Sequence, residues 1–133
     1  MSDSATDLID RVADLLGTIA EVTRDAGAAT LTLSYENSRA AVAAMKLAEG
    51  LDVLSVTQVL AWDLPNTDVL RADIERMSGG LNFGSVKRAS TGVTTDVLLH
   101  YTFPAGTLSD GALLTMMHLV LSSGVELSRR ITD

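Results

Sequence analysis

Apolar positions between Ser4 and Ala26 recur at helical spacing. Leu8, Val12, Leu15, Ile19 and Val22 stand three or four residues apart, and Ile9 and Leu16 widen the stripe. The spacing predicts one helix, with Ser4 as cap, Asp7 as its acidic partner and Gly27 as the stop. From Thr30 the period drops to two: Leu31, Leu33 and Tyr35 share one side of a strand, Thr30, Thr32 and Ser34 the other. Glu36-Asn37-Ser38 reads as a turn. The alanine-rich run Arg39 to Ala48 suits helix by propensity. It is read as a strand because Glu49-Gly50-Leu51-Asp52 looks like a tight turn into the next strand, and no helix stop stands near Ala44 to Lys46.

Leu51 to Asp63 alternates again. Leu54, Val56, Leu60 and Trp62 fall on one face, interrupted by Gln58. Leu64-Pro65-Asn66-Thr67 should end that strand, because proline lacks a ladder donor. Asn66 or Thr67 can cap a short helix with the stripe Leu70, Ile74, Met77, closed by Ser78-Gly79-Gly80. Phe83 to Ala89 and Thr95 to Phe103 read as strands around a turn at Gly92. Ser109 caps a last helix to about Ile131, striped by Leu113, Met117, Val120, Gly124, Leu127 and Ile131. Its Arg129 and Arg130 complement the helix dipole. The order α-β-β-β-α-β-β-α predicts an α+β fold with one antiparallel sheet of about five strands and helices packed on it. Trp62, Phe83, Tyr101, Leu113, Met117 and Val120 are the expected core.

Composition narrows the function classes. The 133 residues fit a single domain, 1–133, without linker or repeat. Ten Lys+Arg against 17 Asp+Glu give a net charge of −7, which argues against nucleic acid and anionic membrane surfaces as partners. The absence of cysteine removes disulfides, thiolate metal sites and a cysteine nucleophile. The opening MSDSATDLID is acidic and polar, unlike a signal peptide. The apolar run Gly111 to Val125 contains His118, Ser122 and Ser123 and is shorter than the ~18 residues of a spanning helix, so it reads as a buried helix. A cytoplasmic protein is the expectation.

Signatures of catalysis are missing. No glycine pattern matches a dinucleotide or phosphate loop, and Gly79-Gly80 with Gly84 follows a helix C-terminus, where the dipole disfavours anions. His100 and His118 have no acidic residue three or four positions on and no second histidine at ligand spacing, and read as structural. Serine-nucleophile motifs are absent, and Asp52, Asp63, Asp68 and Asp73 stand at turns or in a first helical turn, where aspartate caps or is solvated. Arg71, Asp73, Glu75 and Arg76 read as a solvated helix face, and Met116-Met117 as core packing. No catalytic, cofactor-binding or metal-binding residue is assigned, and no cofactor is expected.

The second half carries a resemblance. The short helix Asp68 to Met77, Leu81-Asn82, two strands around Gly92, the end Phe103-Pro104-Ala105-Gly106 and the amphipathic stretch Leu113 to Leu127 resemble the type III secretion chaperone-like fold. Within it they are more similar to the YbjN-type bacterial proteins, often described as sensory transduction regulators. The resemblance covers residues 66–131 by motif and the rest by element order. It implies a small acidic homodimer that binds other proteins, without enzyme activity. Secretion chaperones of this shape bind extended client segments along apolar patches.

Three functional readings follow. The leading one is a non-enzymatic protein-binding module, chaperone-like or regulatory, acting as a homodimer. High mean hydropathy (+0.26) and few charges suit it. Apolar flanks on the first helix (Ile9, Leu16) and last helix (Leu114, Leu121, Val125) should reach outward to an interface. The second is a regulatory domain holding a small molecule between sheet and C-terminal helix, where Ala41, Ala43, Ala44 and Ala48 would leave room. The third is an enzyme whose site forms only in space, around His100 or His118.

Overall fold

The period-two stretches of the chain pair with one another into a six-stranded antiparallel sheet, and three helices complete an α+β fold. The computed structural model describes residues 4–25 and 27–132. In chain order the elements are α1 (Ser4–Leu16), β1 (Glu21–Arg24), β2 (Thr30–Tyr35), β3 (Ser38–Ala48), β4 (Leu51–Pro65), α2 (Asp68–Gly79), β5 (Ser85–Thr91), β6 (Thr94–Pro104) and α3 (Asp110–Thr132). The strand order across the sheet is β1-β2-β3-β4-β6-β5.

The long N-terminal helix of the sequence reading is not formed. Helix α1 stops at Leu16, and Glu21–Arg24 instead joins the sheet edge, pairing Val22 with Leu33. Two apolar residues of the stripe, Ile19 and Val22, still pack on the core. Gly17, a poor helix former, lets the chain leave the helix. The short stripe Ile19–Val22 fits either period, and pairing with β2 decides it. Gly27 lies at φ +77° beyond β1 rather than at a helix end, and the expected endpoint Ala26 lies outside the described residues. This edge strand raises the strand count from about five to six.

The alanine-rich run is a strand, as its turn signals predict. Glu36 and Asn37 both take positive φ, as a tight hairpin between β2 and β3 requires, and Gly50 turns β3 into β4 at φ +74°. Thr67 caps α2 by accepting from the Leu70 N–H, and Ser109 accepts from the Ala112 N–H at the start of α3.

One face of the sheet is the core. Leu31, Leu33 and Tyr35 of β2, Ala40, Val42 and Ala44 of β3, Leu54 and Val56 of β4, and Val97, Leu99 and Phe103 of β6 point to the helices. Helix α1 meets them with Leu8, Ile9, Val12 and Leu16, and α3 with Leu113, Met117, Val120, Leu121 and Leu127. By length and composition α3 could cross a membrane; here that buried side lies on the sheet. The flanks expected to reach outward do not: Ile9, Leu16, Leu121 and Val125 are buried within the chain, and Leu114 is half-buried. Helix α1 also lies against α3, where Arg11 pairs with Asp110.

A close approach sets where α3 crosses the sheet. Gln58 of β4 is fully buried, and its Nε2 donates to Ser38 Oγ (2.9 Å) and to the Leu121 carbonyl (3.1 Å). Its buried Oε1 has no hydrogen-bond partner among the described residues. Gly124 faces it, and a Cβ there would stand 1.9 Å from Oε1.

One turn further along α3, Ser128 Oγ donates to the Leu60 carbonyl at 2.6 Å. That carbonyl sits where β4 breaks register with β6, between Val59 and Leu64. Leu60 and Ala61 are consecutive yet both buried, the mark of a bulge. Asp63 follows at φ +51°, its N–H held by Asp96 Oδ1 at 2.9 Å. The irregularity turns Trp62 out of the core, leaving it 61% exposed. The expectation that Trp62 is buried fails for this reason. Phe83 and Tyr101 are only half-buried, and Tyr101 stacks on Phe103 with centroids 5.1 Å apart. Leu113, Met117 and Val120 are buried as their spacing predicts.

Three stability outcomes follow from this packing. Met117→Ala and Leu113→Ala each lower unfolding free energy by roughly 2–5 kcal/mol in urea titrations, whereas Trp62→Ala costs less than about 1 kcal/mol. Gly124→Ala, which drives a methyl into the Gln58 amide, destabilises by roughly 1–3 kcal/mol. Gly79→Ala, with open space at its Cβ, is neutral or stabilises by up to about 1 kcal/mol, read by the same titration.

Candidate protein-binding face

All three helices described pack on one side of the sheet, and among the described residues no helix covers the other side. Register shows what it carries. One cross-strand row runs Thr23, Thr32, Ala41, Thr57, His100, Ser85; beside it Glu21, Ser34 and Arg39 align across β1 to β3, and Val59, Leu98 and Lys87 across β4, β6 and β5. Small side chains and hydroxyls fill most of the first row, and charged residues stand beside them. Ala41 and Ala43 stand here, Ala44 points into the core and Ala48 lies exposed at the β3–β4 tip. The space between sheet and α3, where the small-molecule reading put its pocket, is filled by Met117, Leu121 and Gln58.

A groove of about 590 Å³ lies on the bare face, walled by Glu21, Arg39 and Trp62 and floored by Ala41 and Thr57. A second, of about 510 Å³, continues it past Arg39 and Trp62 to the β2–β3 turn and the end of α3, where Glu36, Ser128 and Arg129 line it. At the far end of β3 and β4 the hairpin tip exposes Met45, Leu47 and Leu51, with Leu47 62% exposed. The Lys46–Glu49 ion pair, 2.7 Å, sits at this tip and lowers the Glu49 carboxyl below its ordinary range.

The histidines are apart. His100 lies on the bare face, with Nδ1 3.0 Å from Thr57 Oγ1 and Nε2 3.2 Å from Thr102 Oγ1. His118 is exposed on α3, edge-on to Tyr35 with ring centroids 6.0 Å apart. Among the described residues neither has a carboxylate partner, and no three of the His, Asp and Glu side chains are placed to share a metal ion. The four aspartates are also dispersed. Asp52 accepts from Ser4 Oγ at 3.1 Å, Asp63 occupies the bulge, and Asp68 and Asp73 pair with Arg71 and Arg76 along α2. Gly80 caps α2, and Gly84, at φ +77°, turns the chain so tightly that a Cβ would meet the His100 carbonyl at 2.6 Å.

Pattern reading missed the exposed tryptophan of the bare face. Strict alternation puts Trp62 with Leu60 and Val56, and only the bulge moves it. Asp63, a residue type that tolerates left-handed backbone, and the nearby Pro65 were the available local signals.

Partial burial, and secondarily Lys87, lower the His100 pKa below the ordinary 6.5. The unfolded chain therefore binds more protons than the folded one between the folded value and 6.5. This contribution destabilises the protein as pH falls through about 6.5, and levels off below the folded value. The urea midpoint should fall more steeply in wild type than in His100→Gln between about pH 7.5 and 5.5. Parallel profiles would show that His100 titrates alike in both states.

Comparison with models of known protein families and with curated proteins gives no match to this chain.

Proposed function

We propose that the chain is a non-enzymatic protein-binding module of the type III secretion chaperone-like class, similar to YbjN-type proteins, that works in the cytoplasm as a homodimer. The observation that carries this reading is the one-sided sheet. A face of small residues is left uncovered, and large apolar side chains stand exposed at its two ends, Trp62 at one and Met45, Leu47 and Leu51 at the other. Such exposure on a soluble fold marks an interaction surface. The sheet edges suit strand addition less well: β1 is four residues long, and β5 carries Lys87 and Arg88. The Met45–Leu47–Leu51 tip is assigned to the client. Its flexible methionine and leucines fit an extended, apolar, weakly charged polypeptide segment better than a shaped small molecule.

A photoreactive amino acid at Leu47, incorporated in the native host, tests this. One defined polypeptide should be crosslinked there and not from an equivalent label at Glu75 on the exposed face of α2. The crosslinked segment, made as a peptide, should bind wild type and lose at least about tenfold in affinity to Leu47→Asp, while the melting temperature is retained. Equal crosslinking from both positions, or equal peptide affinity for both proteins, would overturn the reading.

A further inference from the structure

The cations of this acidic chain are mostly engaged. Arg11, Arg24, Lys46, Arg71, Arg76 and Arg130 form ion pairs, and Arg88 donates to Asn66 Oδ1. Arg39, Arg129 and Lys87 do neither among the described residues, and the two arginines line the same groove beside Trp62. Two exposed acids, Glu21 and Glu36, are likewise without ion pair or side-chain hydrogen bond and line the same continuous surface. Glu21 and Arg39 stand on the same face with Ser34 between them, two strand spacings or roughly 10 Å apart, yet do not pair.

We infer that this surface, centred on Trp62 and Arg39, is where a second copy of the chain docks. The inference rests on the homodimer reading and gives it a location. A twofold interface brings a patch against itself, so each charge meets the patch's own complement. A patch of one sign would repel its copy. Here two unpaired acids and two unpaired bases surround an exposed indole, and turning the patch over by a twofold axis can set arginines of one protomer against glutamates of its partner. Trp62 supplies the apolar centre that such an interface needs, and the alanine and threonine floor lets the partner approach closely. An acidic ligand would meet Glu21 and Glu36, and a basic one Arg39 and Arg129; a second copy satisfies both. The client tip lies at the other end of β3 and β4, roughly 25–30 Å away, so one surface does not block the other.

Charge reversal tests the assignment. One chain carries Arg39→Glu with Arg129→Glu, the other Glu21→Lys with Glu36→Lys. Sedimentation velocity on wild type should give a particle of twice the 14.0 kDa chain mass. Each reversed chain alone should dimerise at least about tenfold more weakly, with its melting profile showing that it folds, and an equimolar mixture should recover a heterodimer. Trp62→Ala should weaken the wild-type dimer with the charges intact. A wild-type monomer overturns both the inference and the homodimer reading. Dimers that persist in both reversed chains overturn this surface alone, as does a mixture that stays monomeric. A photoreactive residue at Val59 should give a self-adduct, and an adduct with a different protein in its place assigns the face to a client and overturns the inference.

Discussion

Where α3 crosses β4, the helix backbone and a buried amide occupy space that any side chain at residue 124 would claim. Gly124 has no Cβ, so the Gln58 side chain can lie against the helix and donate to the Leu121 carbonyl and Ser38 hydroxyl. That contact fixes α3 over the middle of the sheet and ties β3, β4 and the helix at one point. It also leaves Gln58 Oε1 buried without a partner among the described residues, a cost of about 1–3 kcal/mol for such a group. The apolar burial of Leu113, Met117, Val120 and Leu121 around it offsets that cost.

The position of α3 has a second consequence one turn on. Ser128 reaches the Leu60 carbonyl that the bulge frees from the β4–β6 ladder, so the helix stabilises the irregularity. Asp96 holds the other side of the bulge through the Asp63 N–H. Two polar contacts thus support a local break in alternation, and the break presents Trp62 to solvent on the uncovered side. Core packing and the candidate interface are therefore coupled: the helix that closes one face of the sheet shapes the other.

The bare face also accounts for the high apolar content of an acidic chain. The sequence reading placed the excess on the flanks of the first and last helices, but these are buried or half-buried within the chain. Large apolar groups stand uncovered instead at Trp62 and the β3–β4 tip, and singly at Val69, Val93 and Leu119. A homodimer thus remains the proposal on different ground from that on which the sequence suggested it.

Much of the architecture was legible because it depends on short-range periodicity. The strand faces of β2 and β3, the hairpin at Glu36-Asn37, the caps Thr67 and Ser109, and the buried stripe of α3 each follow from residues within a turn or two of one another. Three features were not legible. Glu21–Arg24 became a strand because β2 offered an unpaired edge some ten residues along the chain, a partner that local spacing does not contain. Trp62 left the core because a bulge, held by Ser128 and Asp96 from distant elements, shifted its phase by one residue. The unpaired charges Glu21, Glu36, Arg39 and Arg129 became one surface only when β1, the β2–β3 turn and the end of α3 were folded together. The sequence by itself determined which residues are apolar and with what period. The tertiary structure decided which face each irregular position takes, because hydrogen bonds between segments far apart in the chain override the local period.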